Sequence, residues 1–223
     1  MKQLAPDLYA LDQPLRFMGM QIGVRTTLVR RPDGSLWIHS PGPRVGKQVE
    51  TLGPVGALVA PNSMHHMSLG AAMKEFPQAR AVASPGVFPK HPELELEDLS
   101  GQRWGDDLEQ LYVEGMRGLE EFAFFHARSA TLILTDIGFN IQSSPHMFTR
   151  IALTLDGAYG CFSCPRTTHL LVRDRAAFRR SLERILEWPF KRIVVGHGEA
   201  VEQDARERFR EAFRKRGWLR VSA

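Results

Sequence analysis

The segment between residues 57 and 83 constrains the fold more than any other part of the chain. It holds a short apolar run at 57–60, a polar loop, a helix-forming stretch at 69–76 that Pro77 ends, and a second small-residue run at 79–83. Two strands joined through a helix are typical of parallel neighbours in a sheet. The segment therefore predicts an α/β domain.

The residues before this segment predict an antiparallel part of the same domain. Strands are expected over residues 8–11, 22–30 and 35–39, and Pro32-Asp33-Gly34 supplies a turn between the last two. A strand pair joined by a tight turn is antiparallel as a rule. A short helix is expected at 45–52. Strands first, then mixed strands and helices, favour a layered α/β sandwich.

The second half of the chain predicts further buried strands and helices. We expect paired strands at 122–125 and 131–135, an amphipathic helix at 175–188, a strand at 192–195 and a basic terminal helix. Residues 84–117, rich in proline, glycine and acidic side chains, receive no assignment. The length suits one domain over residues 1–223.

The composition excludes several classes of protein. Hydrophobic residues make up 43% of the chain and charged residues 24%, which allows a buried core and argues against disorder. No apolar run reaches the roughly 18–20 residues that span a bilayer, and the first residues lack the apolar core of a signal peptide. Cys161 and Cys164 are too few for a disulfide scaffold and are expected to be an ordinary buried thiol pair. We therefore expect a cytoplasmic protein that is not bound to a membrane.

The formal net charge of +4 is mild, and much of the excess lies in residues 206–220. Acidic residues alternate with the arginines there, which is typical of a solvated, salt-bridged helix face and is favoured over a nucleic-acid surface. The expected partner is a small-molecule substrate, and the oligomeric state stays open.

Metal-capable side chains follow three of the predicted strands. His65 and His66 come shortly after one, Asp136 directly after another, and His197 after a third. Ligands of open α/β sheets bind in the crevice outside the carboxyl ends of the strands, so these side chains converge if the strands are neighbours. Imidazole and carboxylate groups suit Zn²⁺ or Fe. A single histidine is more often structural and a single aspartate often a cap, but three such strand ends favour a metal site.

Several stretches of the chain resemble, in the same order, motifs of the metallo-β-lactamase superfamily: residues 34–42, 59–70, 132–139 and 195–198. The resemblance implies a four-layer αββα sandwich with mixed sheets and a site, holding two metal ions in most members, that activates water for hydrolysis. More narrowly, the chain resembles the uncharacterised DUF4336 family at Pro61-Asn62, His65-His66, Phe125-His126, Thr135-Asp136 and Phe139-Asn140.

The chain departs from the superfamily's His-x-His-x-Asp-His motif in its first metal site. Pro61 and Ser63 stand where the first two histidines belong, and residues 115–118 offer no histidine for the third ligand. The second site is better matched, although a histidine replaces its aspartate. The resemblance thus implies a mononuclear centre that holds one Zn, or alternatively Fe, with the ligands His65, His66, Asp136 and His197.

The expected catalytic residues are Asp136 and His126. Asp136 matches the aspartate that bridges two ions in the related enzymes, and His126 is expected to support the site or the substrate, although a plain turn histidine explains it at least as well. His39 takes the place of an aspartate behind the metal and is expected to orient a ligand. Asn62 and Asn140 are expected either to support the site or to shape turns.

These residues favour a mononuclear metal-dependent hydrolase acting on a small substrate of unknown identity. A related chemistry is oxygen activation at Fe(II). The alternative from a different class is a non-catalytic binding module whose metal site is empty or structural.

Overall fold

Two β-sheets form the centre of the structure, a computed structural model that describes residues 1–220. Their strands, together with one separate hairpin, are β1 (Lys2–Ala5), β2 (Leu8–Gln13), β3 (Arg16–Phe17), β4 (Met20–Gln21), β5 (Val24–Arg30), β6 (Leu36–His39), β7 (Val55–Ala60), β8 (Arg80–Ala83), β9 (Glu97–Asp98), β10 (Leu108–Tyr112), β11 (Phe122–His126), β12 (Thr131–Ile133) and β13 (Arg192–Val194). The helices are α1 (Leu69–Glu75), α2 (Met147–Asp156), α3 (Thr168–Leu171), α4 (Arg175–Ile185) and α5 (Ala205–Lys215).

Both sheets are mixed. The larger sheet has the order β1-β2-β5-β6-β7-β8-β9, and the smaller has the order β10-β11-β12-β13. Strands β6 to β9 run parallel to one another, as do β12 and β13. The predicted parallel pair across α1 is thereby confirmed as β7 and β8, and the predicted antiparallel pairs are β5 with β6 and β11 with β12.

The two sheets pack face to face between two layers of helices. The core between the sheets contains Trp37 and Val59 from the larger sheet and Phe124, Ile133 and Val194 from the smaller. Helix α1 covers the outer face of the larger sheet, and α4 and α5 cover the outer face of the smaller. The fold is therefore a layered α/β sandwich, as the sequence pattern predicts, in the four-layer αββα form that the resemblance implies.

A small apolar cluster stands outside this sandwich. The β3–β4 hairpin and α2, neither of which the sequence assigned, meet there around Ile22, Ile141, Leu153 and Ala158. The hairpin is too short to be stable alone, so its packing against α2 holds it in place. This pair forms one wall of the cleft described below.

Smaller expectations are corrected. The helix at 45–52 is a single 3₁₀ turn, Lys47–Thr51, and residues 84–117 contain β9, β10 and two further 3₁₀ turns. Cys161 is exposed and only Cys164 is buried, so the two are not a buried thiol pair. None of the helices within residues 1–220 has the length and apolarity to cross a bilayer.

The packing of α4 yields a first prediction. The side chain of Phe178 is fully buried against the rings of Phe213 and Trp218, so Phe178→Ala should lower the free energy of unfolding by about 3–5 kcal/mol. Arg180→Ala, on the exposed face of the same helix, should change it by less than about 0.5 kcal/mol. Urea unfolding followed by circular dichroism measures both. Equal losses would show that α4 does not cover the core in this way.

Candidate metal centre

Three strand ends from the two sheets bring their side chains to one point. His65 lies in the loop after β7, Asp136 follows β12 and His197 follows β13. The Nε2 atoms of His65 and His197 are 3.1 Å apart. The Asp136 carboxylate lies 3.4 Å from Nε2 of His65 and 3.3 Å from Nε2 of His197. These residues form the one group with metal-ligand spacing among residues 1–220.

The spacing of these three donors fits a metal ion. Ligands bound at about 2.0–2.1 Å in a tetrahedron stand about 3.3 Å from one another. The two Nε2 atoms are 3.1 Å apart, and those of His65 and His197 lie 3.4 and 3.3 Å from Oδ2 and Oδ1 of Asp136, respectively, which is close to that spacing. The donor set and its geometry therefore suit Zn²⁺ or another small divalent ion.

The second ring nitrogens of both histidines are held by oxygen atoms. Nδ1 of His197 lies 2.6 Å from the carbonyl oxygen of Gly23 and must donate to it, so a neutral His197 presents an unprotonated Nε2 to the cluster. Nδ1 of His65 is hydrogen-bonded to the hydroxyl of Ser40. Contacts of this kind fix the orientation of metal-ligating imidazoles.

Asn62 connects the loop of His65 to Asp136. Its Oδ1 accepts hydrogen bonds from the backbone N–H groups of Met64 and His65, at 2.9 and 2.8 Å. Its Nδ2 donates to Oδ2 of Asp136 at 2.8 Å. One fully buried amide thus shapes the loop after β7 and positions a carboxylate from the other sheet.

Glu121, which sequence reasoning missed, lies beneath the cluster and is fully buried. Its carboxylate accepts hydrogen bonds from the backbone N–H groups of Thr135, Asp136 and Ile137, at 2.8, 2.8 and 3.2 Å, and from Nδ2 of Asn62 at 3.2 Å. The signal available in the sequence was a carboxylate directly before the apolar strand β11, which pairs with the strand that leads to Asp136. Glu121 fixes the backbone that carries Asp136.

The pKa values of the two carboxylates, Glu121 and Asp136, are shifted in opposite directions. Burial, and then the negative charge of Asp136, raises the pKa of Glu121 to about 7. Burial alone would raise the pKa of Asp136, but the charge and hydrogen bonds of His65 and His197 outweigh it and lower that pKa. The lowered pKa keeps Asp136 anionic at neutral pH.

The loop that carries His197 is shaped by close backbone contacts. A Cβ on Gly196 would lie 2.9 Å from Cε1 of His65, so this position needs glycine. Nδ2 of Asn140 donates to the carbonyl oxygen of Glu199 at 2.9 Å. The backbone N–H of Asn140 donates to the carbonyl oxygen of His197. Asn140 was expected either to support the site or to shape a turn, and it holds the loop that carries His197.

A cleft of about 610 Å³ opens onto the three donors. Its walls are largely apolar and come from the β3–β4 hairpin, α2 and the loops after β12 and before α4. The ring of Phe139 lies 4.9 Å from the imidazole of His197. The volume lies within the range of about 300–1,000 Å³ that is usual for small-molecule sites.

Comparison with known families decides where the chain belongs. The family described as "Domain of unknown function (DUF4336)" matches residues 6–158. The chain belongs to the DUF4336 family. The matched part of this DUF4336 protein includes His65 and Asp136 but ends before β13 and His197.

Solved structures similar to this DUF4336 protein share its fold at low identity. A metallo-β-lactamase from Pontibacter korlensis is 12% identical with a TM-score of 0.65, and 96% of this chain and 97% of that one are covered. One from Erythrobacter litoralis is 15% identical with a TM-score of 0.64, covering 96% and 95%. The flavodiiron core of Flv1 from Synechocystis is 13% identical with a TM-score of 0.64, covering 97% of this chain and 59% of that one. No curated protein matches. The metallo-β-lactamase fold is thereby established.

The structure does not bring His66 to the other three predicted ligands. Its Nδ1 lies 2.7 Å from Nε2 of His91, whose own Nδ1 lies 3.0 Å from a carboxylate oxygen of Glu93. Adjacent residues in the loop after β7 point in different directions, so His65 faces the cluster and His66 faces the 3₁₀ turn Pro85–Lys90. The structure therefore brings together three of the four predicted ligands, His65, Asp136 and His197.

The expected roles of His126 and His39 need correction. His126 pairs with Thr131 at the beginning of β12, whereas Asp136 follows the end of that strand, so the two lie at opposite ends of the sheet. Nδ1 of His126 contacts the hydroxyl of Ser129 at 2.7 Å. His39 stacks on Trp37 in the core between the sheets, and it is the next residue, Ser40, whose hydroxyl is hydrogen-bonded to Nδ1 of His65.

Pro61 and Ser63, which stand where the first two histidines of the superfamily motif belong, make backbone hydrogen bonds. The carbonyl oxygen of Pro61 accepts a hydrogen bond from the N–H of Phe122, and the N–H of Ser63 donates to the carbonyl oxygen of Leu119. The turn that replaces the missing histidines thus joins the larger sheet to the segment before β11.

The buried position of Glu121 predicts a large effect of a small substitution. Glu121→Gln keeps the shape but turns an amide N–H₂ toward backbone donors, so at least one buried N–H loses its acceptor. We expect a loss of at least about 2 kcal/mol in the free energy of unfolding, measured in urea. Glu114→Gln, on an exposed residue nearby, is the matched control and should change little. A stable Glu121→Gln variant would contradict the role assigned to this carboxylate.

Proposed function

We propose that this protein is a mononuclear metal-dependent hydrolase of a small substrate. The observation that carries the proposal is the separation of 3.1 to 3.4 Å among Nε2 of His65, Nε2 of His197 and the Asp136 carboxylate, at the bottom of a cleft. Two imidazoles and one carboxylate leave at least one coordination position open, as catalytic zinc sites do and closed structural sites do not.

His65, His197 and Asp136 would hold the ion. When bound, a Zn²⁺ ion supplies Lewis acidity, which lowers the pKa of water and polarises the oxygen of the group that is cleaved. Ser40 and the carbonyl group of Gly23 orient the two imidazoles, and Asn62 restrains one oxygen of Asp136. The apolar walls of the cleft exclude bulk water, which strengthens electrostatic interactions at its base.

A second candidate chemistry is favoured by the same donor set. Two histidines and one carboxylate with open positions are also the ligands of non-haem Fe(II) oxygenases. We propose hydrolysis because the ion proposed for this site is Zn²⁺, which does not change its oxidation state. Hydrolysis by the zinc-loaded protein would support the hydrolase. Oxygen consumption by the iron-loaded protein, without hydrolysis by the zinc-loaded protein, would support the oxygenase.

Metal content tests the ligand set. Protein purified without a histidine tag and loaded with zinc should hold about one equivalent by elemental analysis. His65→Ala and His197→Ala should each lose most of it, whereas His66→Ala should keep it, because only the first two contribute to the cluster. Ser40→Ala should weaken zinc binding about 10- to 100-fold, the usual effect of removing a group that orients a ligand. Loss of zinc in His66→Ala with retention in His65→Ala would refute this ligand set.

Hydrolytic activity tests the function itself. The zinc-loaded protein should hydrolyse an activated ester such as p-nitrophenyl acetate, and a chelator should abolish the reaction. Asp136→Asn should reduce kcat/KM at least about 100-fold, because the anionic ligand is lost. Asp106→Asn, on an exposed residue away from the cleft, should retain full activity. Stoichiometric zinc without hydrolysis of activated esters, amides or phosphoesters would overturn the proposal and favour a binding module.

A further inference from the structure

The walls of the cleft indicate what kind of molecule it accepts. They are built from Leu15, Phe17, Met20, Phe139, Phe148 and Leu171, with further aliphatic residues between them. None of the lining residues within the described part of the chain is a lysine or arginine. Apart from the three proposed ligands, the lining holds one ionisable side chain, Asp156.

Asp156 does not supply a positive charge and is already engaged. Its two carboxylate oxygens accept hydrogen bonds from the backbone N–H and the hydroxyl of Thr167, at 2.8 and 3.1 Å. A phosphate or carboxylate group on a substrate would therefore meet no cationic side chain along these walls, while its own desolvation would be unfavourable. The lack of cationic side chains in the walls therefore disfavours anionic substrates.

The mouth of the cleft is apolar as well. Met18 at the tip of the β3–β4 hairpin and Met67 after β7 are 79% and 61% exposed, and both line the opening. Phe148 on α2 is 59% exposed, and its ring lies over Gly19 of the hairpin, where a Cβ would approach within 3.2 Å. Unbranched methionine side chains adapt to apolar ligands of varied shape. The apolar surface thus continues from the donors to the solvent.

We propose, on the basis of the hydrolase function above, that the substrate is an uncharged carboxylic ester with an aliphatic acyl chain that lies along this cleft. Water adds its oxygen to the carbonyl carbon and the bond from that carbon to the alkoxy oxygen breaks. One proton of the water passes to the alkoxy oxygen, so a carboxylic acid and an alcohol leave.

Chain length and charge separate this proposal from its alternatives. With zinc-loaded protein, kcat/KM for p-nitrophenyl octanoate should exceed that for the acetate at least about tenfold, since each fully buried methylene contributes up to about fourfold. The mono-p-nitrophenyl ester of suberic acid has the same chain length but ends in a carboxylate, and it should react at least about tenfold more slowly than the octanoate. Equal or faster cleavage of the suberate ester, or a preference for acetate, would overturn the substrate class while leaving a hydrolase.

A matched pair of variants on α2 locates the effect. Phe148→Arg places a cation in the wall and should narrow or reverse the preference for octanoate over the suberate ester. Ile151→Arg introduces the same charge on the same helix, at a residue that is 52% exposed and does not line the cleft, and should leave the preference unchanged. Both positions are exposed, so neither substitution disrupts the core. Equal effects of the two variants would show that the chain does not lie in this cleft.

A binding measurement keeps the substrate class testable if no ester is hydrolysed. Nile red, an uncharged dye, should fluoresce in the cleft of the metal-free protein, and methyl octanoate should displace it at least about tenfold more effectively than octanoate anion. Displacement in this order without any zinc-dependent hydrolysis would refute the proposed function and support the ligand class. Hydrolysis of acetate without dye binding or chain preference would refute the ligand class and support the function.

Discussion

The arrangement of the site depends on one buried carboxylate. Glu121 lies directly before β11 and accepts hydrogen bonds from the backbone N–H groups of residues 135–137, shortly after the end of β12, while Asn62 reaches it from the loop after β7. A strand end that leaves its sheet exposes N–H groups that no neighbouring strand satisfies, and burying them without acceptors is unfavourable. Glu121 satisfies three of them at once. The backbone of Asp136 is therefore fixed in place before any ligand binds.

The same principle joins the two sheets around the donors. Asn62 connects the larger sheet to Asp136, and the carbonyl oxygen of Gly23, just before β5, holds the imidazole of His197 from the smaller sheet. Asp136 and His197, both from the smaller sheet, are thus positioned by polar groups from the larger sheet, whereas Ser40 holds His65 from within the larger sheet. Such groups would be costly if left unsatisfied, so these hydrogen bonds between the sheets help to fix the donors in place.

Much of this arrangement could be predicted from the sequence, because apolar runs and the residues after them carry strong local signals. The parallel pair across α1 followed from the helix between two apolar runs, and the convergence of His65, Asp136 and His197 followed from the strand ends that precede them. The direction of a side chain within an irregular loop has no such signal, and so His66 was assigned to the site although it contacts His91. His126 was misplaced although the predicted hairpin of strands 122–125 and 131–135 already puts it beside the start of β12, at the opposite end from Asp136. The cleft walls also depend on tertiary contacts, since the β3–β4 hairpin and α2 are stable only against each other.

The central claim is that three side chains from two sheets form one metal-binding face. The most direct test is a crystal structure of the zinc-loaded protein with anomalous scattering recorded on both sides of the zinc absorption edge. The account predicts a single strong peak about 2.0–2.2 Å from Nε2 of His65, Nε2 of His197 and one oxygen of Asp136, with an open position toward the cleft. A peak between His66 and His91 instead, or none at the three donors despite stoichiometric zinc, would contradict it.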